Sequence, residues 1–253
     1  VFTSKSPAWT RLQTFGADSE SSDAPKSVFA ILRREDGGVT IKDDWYVLGM
    51  RGTQSNTTLL EGARAKAEQV LGRVNPGPNL DPVVLGIFAN FEILLAATYA
   101  GVGERAIEVA VEHVKKRRSV MNQTTYSNDP AIRWRLAEAA LLMNAVGPQI
   151  REMAALVESD AEPNLGWLPR LSAVKNAASE ASLRVVEQCV RACGGSSYYD
   201  KNELSRLYRD VLAGLFQPSD QESLHGAWAN MVLGPVAAKR RSRPSWPPAP
   251  SRI

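Results

Sequence analysis

The chain has 253 residues, 44% of them hydrophobic and 23% charged, the profile of a globular protein long enough to bury a core without disulfide staples. Its net charge of +3 arises at the C-terminal end, where Lys239, Arg240, Arg241, Arg243 and Arg252 stand without an acid; setting those five aside from the 30 basic residues leaves 25 against 27 acidic, which excludes a nucleic-acid footprint. Two cysteines, Cys189 and Cys193, exclude a disulfide framework and fit a reducing, cytoplasmic setting, and neither a signal peptide nor an unbroken apolar run of about 18 residues is present, so no membrane partner is expected.

Val1-Phe2-Thr3 reads as a strand already in progress, and residues 17–26 as a small, polar loop. Ser27-Val28-Phe29-Ala30-Ile31-Leu32 is an apolar strand, and Glu35-Asp36-Gly37-Gly38 is a turn before the strand Val39-Thr40-Ile41. Trp45-Tyr46-Val47-Leu48 and Thr57-Thr58-Leu59-Leu60 are further strand candidates. The character changes at Asn75-Pro76-Gly77-Pro78. Asp81 before Pro82 is an N-cap followed by proline at N1, opening a helix to about residue 118 that ends in Lys115-Lys116-Arg117-Arg118. Asp129-Pro130 repeats the start signal for a helix to about residue 159, and a third helix runs from about residue 168 to Cys193, stopping at Gly194-Gly195. A shorter helix covers residues 202–212. The last begins at Ser219, with Glu222 completing a capping box, and ends near Gly234-Pro235. The predicted class is α+β, predominantly α: a partial antiparallel β domain (residues 1–78), an antiparallel four-helix bundle (79–236) and a disordered, basic, Pro-rich tail (237–253).

The chain contains no P-loop, no G-x-G-x-x-G and no G-x-S-x-G. Cys189 and Cys193 share a helix face, but zinc needs further ligands and none is near in sequence, so they read as packing thiols and no metal site is predicted. Arg133-Trp134-Arg135, followed by Glu138, reads as a solvated helix face.

Three segments, in this order, carry a resemblance. Leu48-Gly49-Met50-Arg51-Gly52-Thr53-Gln54-Ser55 resembles the G-M-R-G-T-x-S element that closes the β domain of acyl-CoA dehydrogenases; Arg191-Ala192-Cys193-Gly194-Gly195-Ser196-Ser197-Tyr198 resembles their Q-x-x-G-G-x-G-Y turn; Arg206-Leu207-Tyr208-Arg209-Asp210 resembles their R-x-x-R-D element. The resemblance covers about residues 1–235 and implies a chain that enters inside the family's β domain, without its N-terminal helical domain. It implies FAD held between β domain and bundle and completed by a neighbouring subunit, hence a homo-oligomer, dimer or tetramer. Val1-Phe2-Thr3-Ser4 is similar to the family's W-I-T-N/S strand, which places Thr3 and Ser4 beside the flavin. Arg118 sits where the family's R-x-x-F-G arginine reaches the cofactor phosphates, suited to it by paired guanidinium donors, although Phe-Gly is missing here. Arg191 stands in place of the usual Gln. Gly194 and Gly195 match a turn that lets backbone approach the dinucleotide, and equally a plain helix C-cap. Arg206, Arg209 and Asp210 fall at positions that hold structure through ion pairs.

In the family's dehydrogenases a Glu removes the substrate α-proton while hydride leaves for the flavin. Counting on from Arg209-Asp210 reaches Phe216-Gln217-Pro218-Ser219, where Gln217 or Pro218 occupies that place and neither accepts a proton near neutrality. Some members carry the base on the first bundle helix. Glu92, amid Phe91 and Ile93-Leu94-Leu95, is one position out of register there; its apolar setting would raise its pKa, as suits a base, and an ion pair to a bundle arginine is the alternative. The resemblance therefore implies FAD-dependent α,β-dehydrogenation of an acyl thioester. Two alternatives stand beside it. One is a flavin-dependent monooxygenase of the same fold, using FMN or reduced flavin, for which His225 is the catalytic candidate and a solvent-facing histidine the plainer reading. The other is a degenerate subunit supporting a full-length partner.

Overall fold

The computed structural model describes residues 2–3 (backbone only), 8–18, 25–77, 79–159 and 161–235. Thr3's side chain, Ser4 and the predicted 237–253 tail lie outside the described residues. Six strands precede five helices: β1 (Phe2–Thr3), β2 (Arg11–Ala17), β3 (Ser27–Arg33), β4 (Val39–Ile41), β5 (Asn56–Leu60), β6 (Val70–Val74), then α1 (Pro82–Lys116), α2 (Pro130–Glu158), α3 (Trp167–Cys193), α4 (Glu203–Val211) and α5 (Gln221–Leu233). The strands form two antiparallel three-stranded sheets, ordered β1-β5-β4 and β2-β3-β6. In the first, Thr3 pairs with Asn56; in the second, Phe15 pairs with Phe29 and their rings stack at 5.6 Å. The predicted α+β class, dominated by a helical bundle, is the observed one.

The helix starts follow their caps. The carboxylate of Asp81 accepts from the Val83 amide, that of Asp129 from Ala131 and Ile132, and the Asn202 side chain from Leu204. α5 begins differently from expectation: Asp220, not Ser219, is the cap and accepts from the Ser223 amide, so Glu222 closes no capping box. Residues 45–48 form no strand; the side-chain oxygen of Asn56 takes the amides of Asp44 and Trp45 and bends the chain there. Conversely, β2 and β6 carry weak apolar alternation, with Leu12 and Val74 their only buried residues, and were not predicted.

Helix α3 is central, packing on α1, α2, α4 and α5. Its approach to α1 runs over small residues: Ala89, Ala96, Ala106 and Ala110 are wholly buried, and Gly103 lies against Met143 and Ser182. Leu171, Val185 and Val186 fill the centre, each burying about 1.5–3 kcal/mol of apolar side chain. α1 is more apolar than its run lengths suggested. An 18-residue stretch has mean hydropathy 1.8, sufficient by composition for a membrane span, and only 28% of it is buried, leaving Phe91 and Leu94 uncovered in the single chain.

One junction between the β region and the bundle is made tightly at α4. The Met50 amide, in left-handed backbone at φ 53°, donates to Asp210 Oδ1 at 2.6 Å, and a Cβ on Gly49 would collide with the Arg209 carbonyl. Gly49→Ala should therefore destabilise the protein by at least the about 1–3 kcal/mol typical of overpacking, measured by urea unfolding. Cys189 and Cys193 are buried free thiols, pushed up to about 12 and about 11 by burial. Iodoacetamide at about pH 8 should leave both unmodified in the folded protein and label both in urea.

Candidate functional site

Two regions of the bundle gather the predicted residues. The first is the end where α1 and α3 terminate together, His113 Nε2 lying 3.4 Å from Ser196 Oγ. Arg118 is exposed there, and its Nη2 donates to the Gln123 carbonyl at 2.7 Å, closing the turn after α1. Gly194 caps α3 with φ 67°, and its amide donates to the Val190 carbonyl, so the C-cap role is realised. A Cβ at Gly194 or Gly195 would meet nothing within 4 Å, so the turn also presents open backbone. Arg191 is held by Glu187 at 2.6 Å and lines an open cleft of about 930 Å³ together with Leu48, Tyr198, Tyr199, Tyr208 and Arg209. Guanidinium groups beside tyrosine rings and free backbone fit the phosphates and ring of a flavin cofactor, and Arg118, Arg191 and the Gly194-Gly195 turn are the groups that would hold it.

The second region is the loop between α4 and α5, residues 214–220, seated on α1 and α3. Lys175, with no solvent exposure, donates from Nζ to three loop carbonyls: Gly214 at 2.8 Å, Gln217 at 2.6 Å and Ser219 at 3.1 Å. Glu92, also fully enclosed, accepts at Oε1 from the Ser219 amide (3.0 Å) and hydroxyl (3.1 Å), while its Oε2 is buried without a partner. Asn176 donates to the Ser219 carbonyl, and Ser172 shares a hydrogen bond with the Ser219 hydroxyl. Burial pushes the Glu92 carboxyl up against the pull of Ser219 and Lys175, and pushes the Lys175 ammonium down against the pull of Glu92. Glu92 thus sits in the apolar helix as predicted, but its bonded partner is Ser219, with the Lys175 charge acting through space, and no bundle arginine among the described residues pairs with it. Tyr99, wholly buried and pushed up to about 12 by burial, donates to Gln217 Oε1 at 2.7 Å. Gln217 Nε2 makes no hydrogen bond within the described residues.

The structure does not bring Arg118 to the loop: twenty-four residues separate Glu92 from Lys116 along α1, about 36 Å at helical rise. The cleft reaches nearer, since Arg209, which lines it, stands in the last turn of α4, shortly before Gly214. His225 is exposed on α5, its Nδ1 donating to the Gln221 carbonyl at 2.7 Å. Sequence reasoning missed Lys175 and its neighbours. The signal was there: Ser172, Lys175, Asn176, Ser179 and Ser182 recur at helical spacing along the buried face of α3, a polar stripe where apolar residues belong.

Residues 93–216 match the family model "Acyl-CoA dehydrogenase, C-terminal domain". An amino sugar nitrososynthase from Streptomyces peucetius is 28% identical over 200 residues, covering 78% of this chain and 49% of its own length. The chain spans about half the length of the curated relatives it matches. Among solved structures, KijD3 in complex with FMN and a dTDP-linked 3-amino-4-keto sugar superposes with TM-score 0.78 at 23% identity, covering 91% of this chain and 57% of that one. Butyryl-CoA dehydrogenase from Megasphaera elsdenii gives TM-score 0.77 at 20% identity, covering 89% and 57%. These two likenesses show the fold.

Removing the phenol with Tyr99→Phe frees the Gln217 side chain and should cost about 0.5–1.5 kcal/mol, one hydrogen bond, by denaturant unfolding. The Gln217 side-chain amide resonances should collapse toward their random-coil positions in the same variant.

Proposed function

With residues 93–216 belonging to the acyl-CoA dehydrogenase C-terminal domain family and the whole fold being of that kind, we propose that this chain works as a flavin-dependent oxidoreductase whose reaction is monooxygenation. One observation carries the choice between oxygenation and dehydrogenation. At the place where the resemblance puts a dehydrogenase's base, this chain has Gln217 or Pro218; the acceptor oxygen of the Gln217 amide is taken by Tyr99, and proline offers no proton acceptor. The other candidate base, Glu92, is enclosed, with Oε1 occupied by Ser219. An oxygenase needs no carboxylate in reach of an α-proton. The relatives support the reading, since an amino sugar nitrososynthase and a dibenzothiophene monooxygenase are among them.

When bound, reduced flavin supplies two electrons to dioxygen, one oxygen atom passing to the substrate and the other leaving as water. The chain's own part is binding and orientation. Arg118, Arg191 and the open Gly194-Gly195 backbone would hold the flavin's phosphates at one end of the bundle, and Gln217 would offer an N–H donor at the loop. Since Arg118 stands about 36 Å along α1 from the level of the loop, each flavin would be shared between copies in a homo-oligomer. The uncovered apolar face of α1 supports such an assembly. The substrate class is a small molecule with an oxidisable heteroatom, with acyl-CoA the substrate of the competing dehydrogenase reading, and the setting cytoplasmic.

Under anaerobic conditions, acyl-CoA should leave the oxidised flavin of the loaded protein unbleached, whereas supplied reduced flavin, oxygen and an amino sugar nucleotide should give an oxygenated product. Anaerobic bleaching by acyl-CoA would make the protein a dehydrogenase. Gln217→Glu should lower oxygenation about tenfold, the equivalent of one hydrogen bond.

A further inference from the structure

Two ionisable side chains are buried where no proton transfer uses them. Taking a carboxyl and an ammonium out of water costs several kcal/mol each, and apolar residues of similar volume would fill the same space more cheaply. What the two have in common is the loop. Lys175 spends all three of its N–H donors on loop carbonyls at residues 214, 217 and 219, and Glu92 takes both donors of Ser219. The groups reach the loop from opposite sides, Glu92 from α1 and Lys175 from α3. Between them they fix the main chain on either side of Gln217, whose side chain is then turned by Tyr99.

We propose that Glu92 and Lys175 are positioning residues, a buried clamp that acts through Ser219 and the loop carbonyls to hold Gln217 with its Nε2 donors facing outward, and that Glu92 is therefore no proton acceptor. That the donors face substrate rests on the monooxygenase reading; the clamp itself does not. Each clamp contact goes to a main-chain atom or to Ser219, so the loop's path is set without reference to the side chain at 217. A residue there can be exchanged while its backbone stays in place.

Hydrogen exchange by mass spectrometry on the full chain, read alongside turnover, tests this. Glu92→Gln keeps a carbonyl acceptor for Ser219 and should leave exchange over residues 214–220 and turnover within about threefold of the parent. Glu92→Leu should speed exchange in that loop at least tenfold with α2 unchanged, and glutamine at 92 should rescue it. Ser219→Ala leaves both buried charges in place and folds even if leucine at 92 does not; it should speed exchange of the same segment at least threefold. Made together with Glu92→Leu it should add nothing. Unchanged exchange in Ser219→Ala, or full additivity of the pair, overturns the clamp. A loss of turnover of a hundredfold or more in Glu92→Gln with native exchange overturns it too, by making Glu92 the base. Failure of the oxygenase reading would leave every exchange result standing.

Discussion

An ammonium and a carboxyl enclosed between two helices set the terms for the rest of this molecule. Five charge-assisted hydrogen bonds, each about 1.5–3 kcal/mol, offset the desolvation of Lys175 and Glu92, and all five end on the segment between α4 and α5. α1 and α3 must approach closely for this to work, and the alanines along α1 permit it. α3 then carries a polar stripe down the middle of the core without leaving it wet. The stripe is not fully satisfied, since Ser179 Oγ and Glu92 Oε2 are buried without partners. Both lie beside the loop, at the place where the bundle meets its candidate chemistry.

The fold was legible in the sequence wherever a local signal decided the structure. Asp81-Pro82 and Asp129-Pro130 start helices because a carboxylate satisfies the first amides and proline has none to lose. Gly194 stops α3 because only glycine takes its positive φ without strain. Legibility failed where pairing decided. β2 is a strand because β3 offers it partners, and its own residues, mostly exposed and polar, do not announce one. Trp45-Tyr46-Val47-Leu48 has strand composition but loses its backbone donors to Asn56.

The candidate site divides in the same way. Arg118, Arg191, Gly194 and Gly195 were singled out from short motifs, and the structure puts them near the ends of α1 and α3, with Arg191 lining the cleft. Glu92 was singled out because an acid in an apolar helix is conspicuous. Its role could not be read from that, because the role depends on Lys175 and Ser219, over 80 residues away in the chain. The consequence for chemistry is concrete. A carboxylate that is spoken for by two hydrogen bonds and shut from solvent is a structural group, and the loop it holds carries the Gln217 amide.

The junction at Gly49 has a consequence for how the sequence can vary. The β region meets α4 backbone to backbone, at the carbonyl of Arg209, with no room for a methyl group. Docking by main chain makes no demand on what side chain position 209 carries. Tyr208, the exposed α4 residue that lines the cleft, is therefore free to change with whatever occupies it, while the joint that keeps the two parts in register stays intact. The burden of the joint falls on Gly49 and on the Asp210 carboxylate that holds the Met50 amide, so a surface open to new specificity sits directly beside positions closed to change.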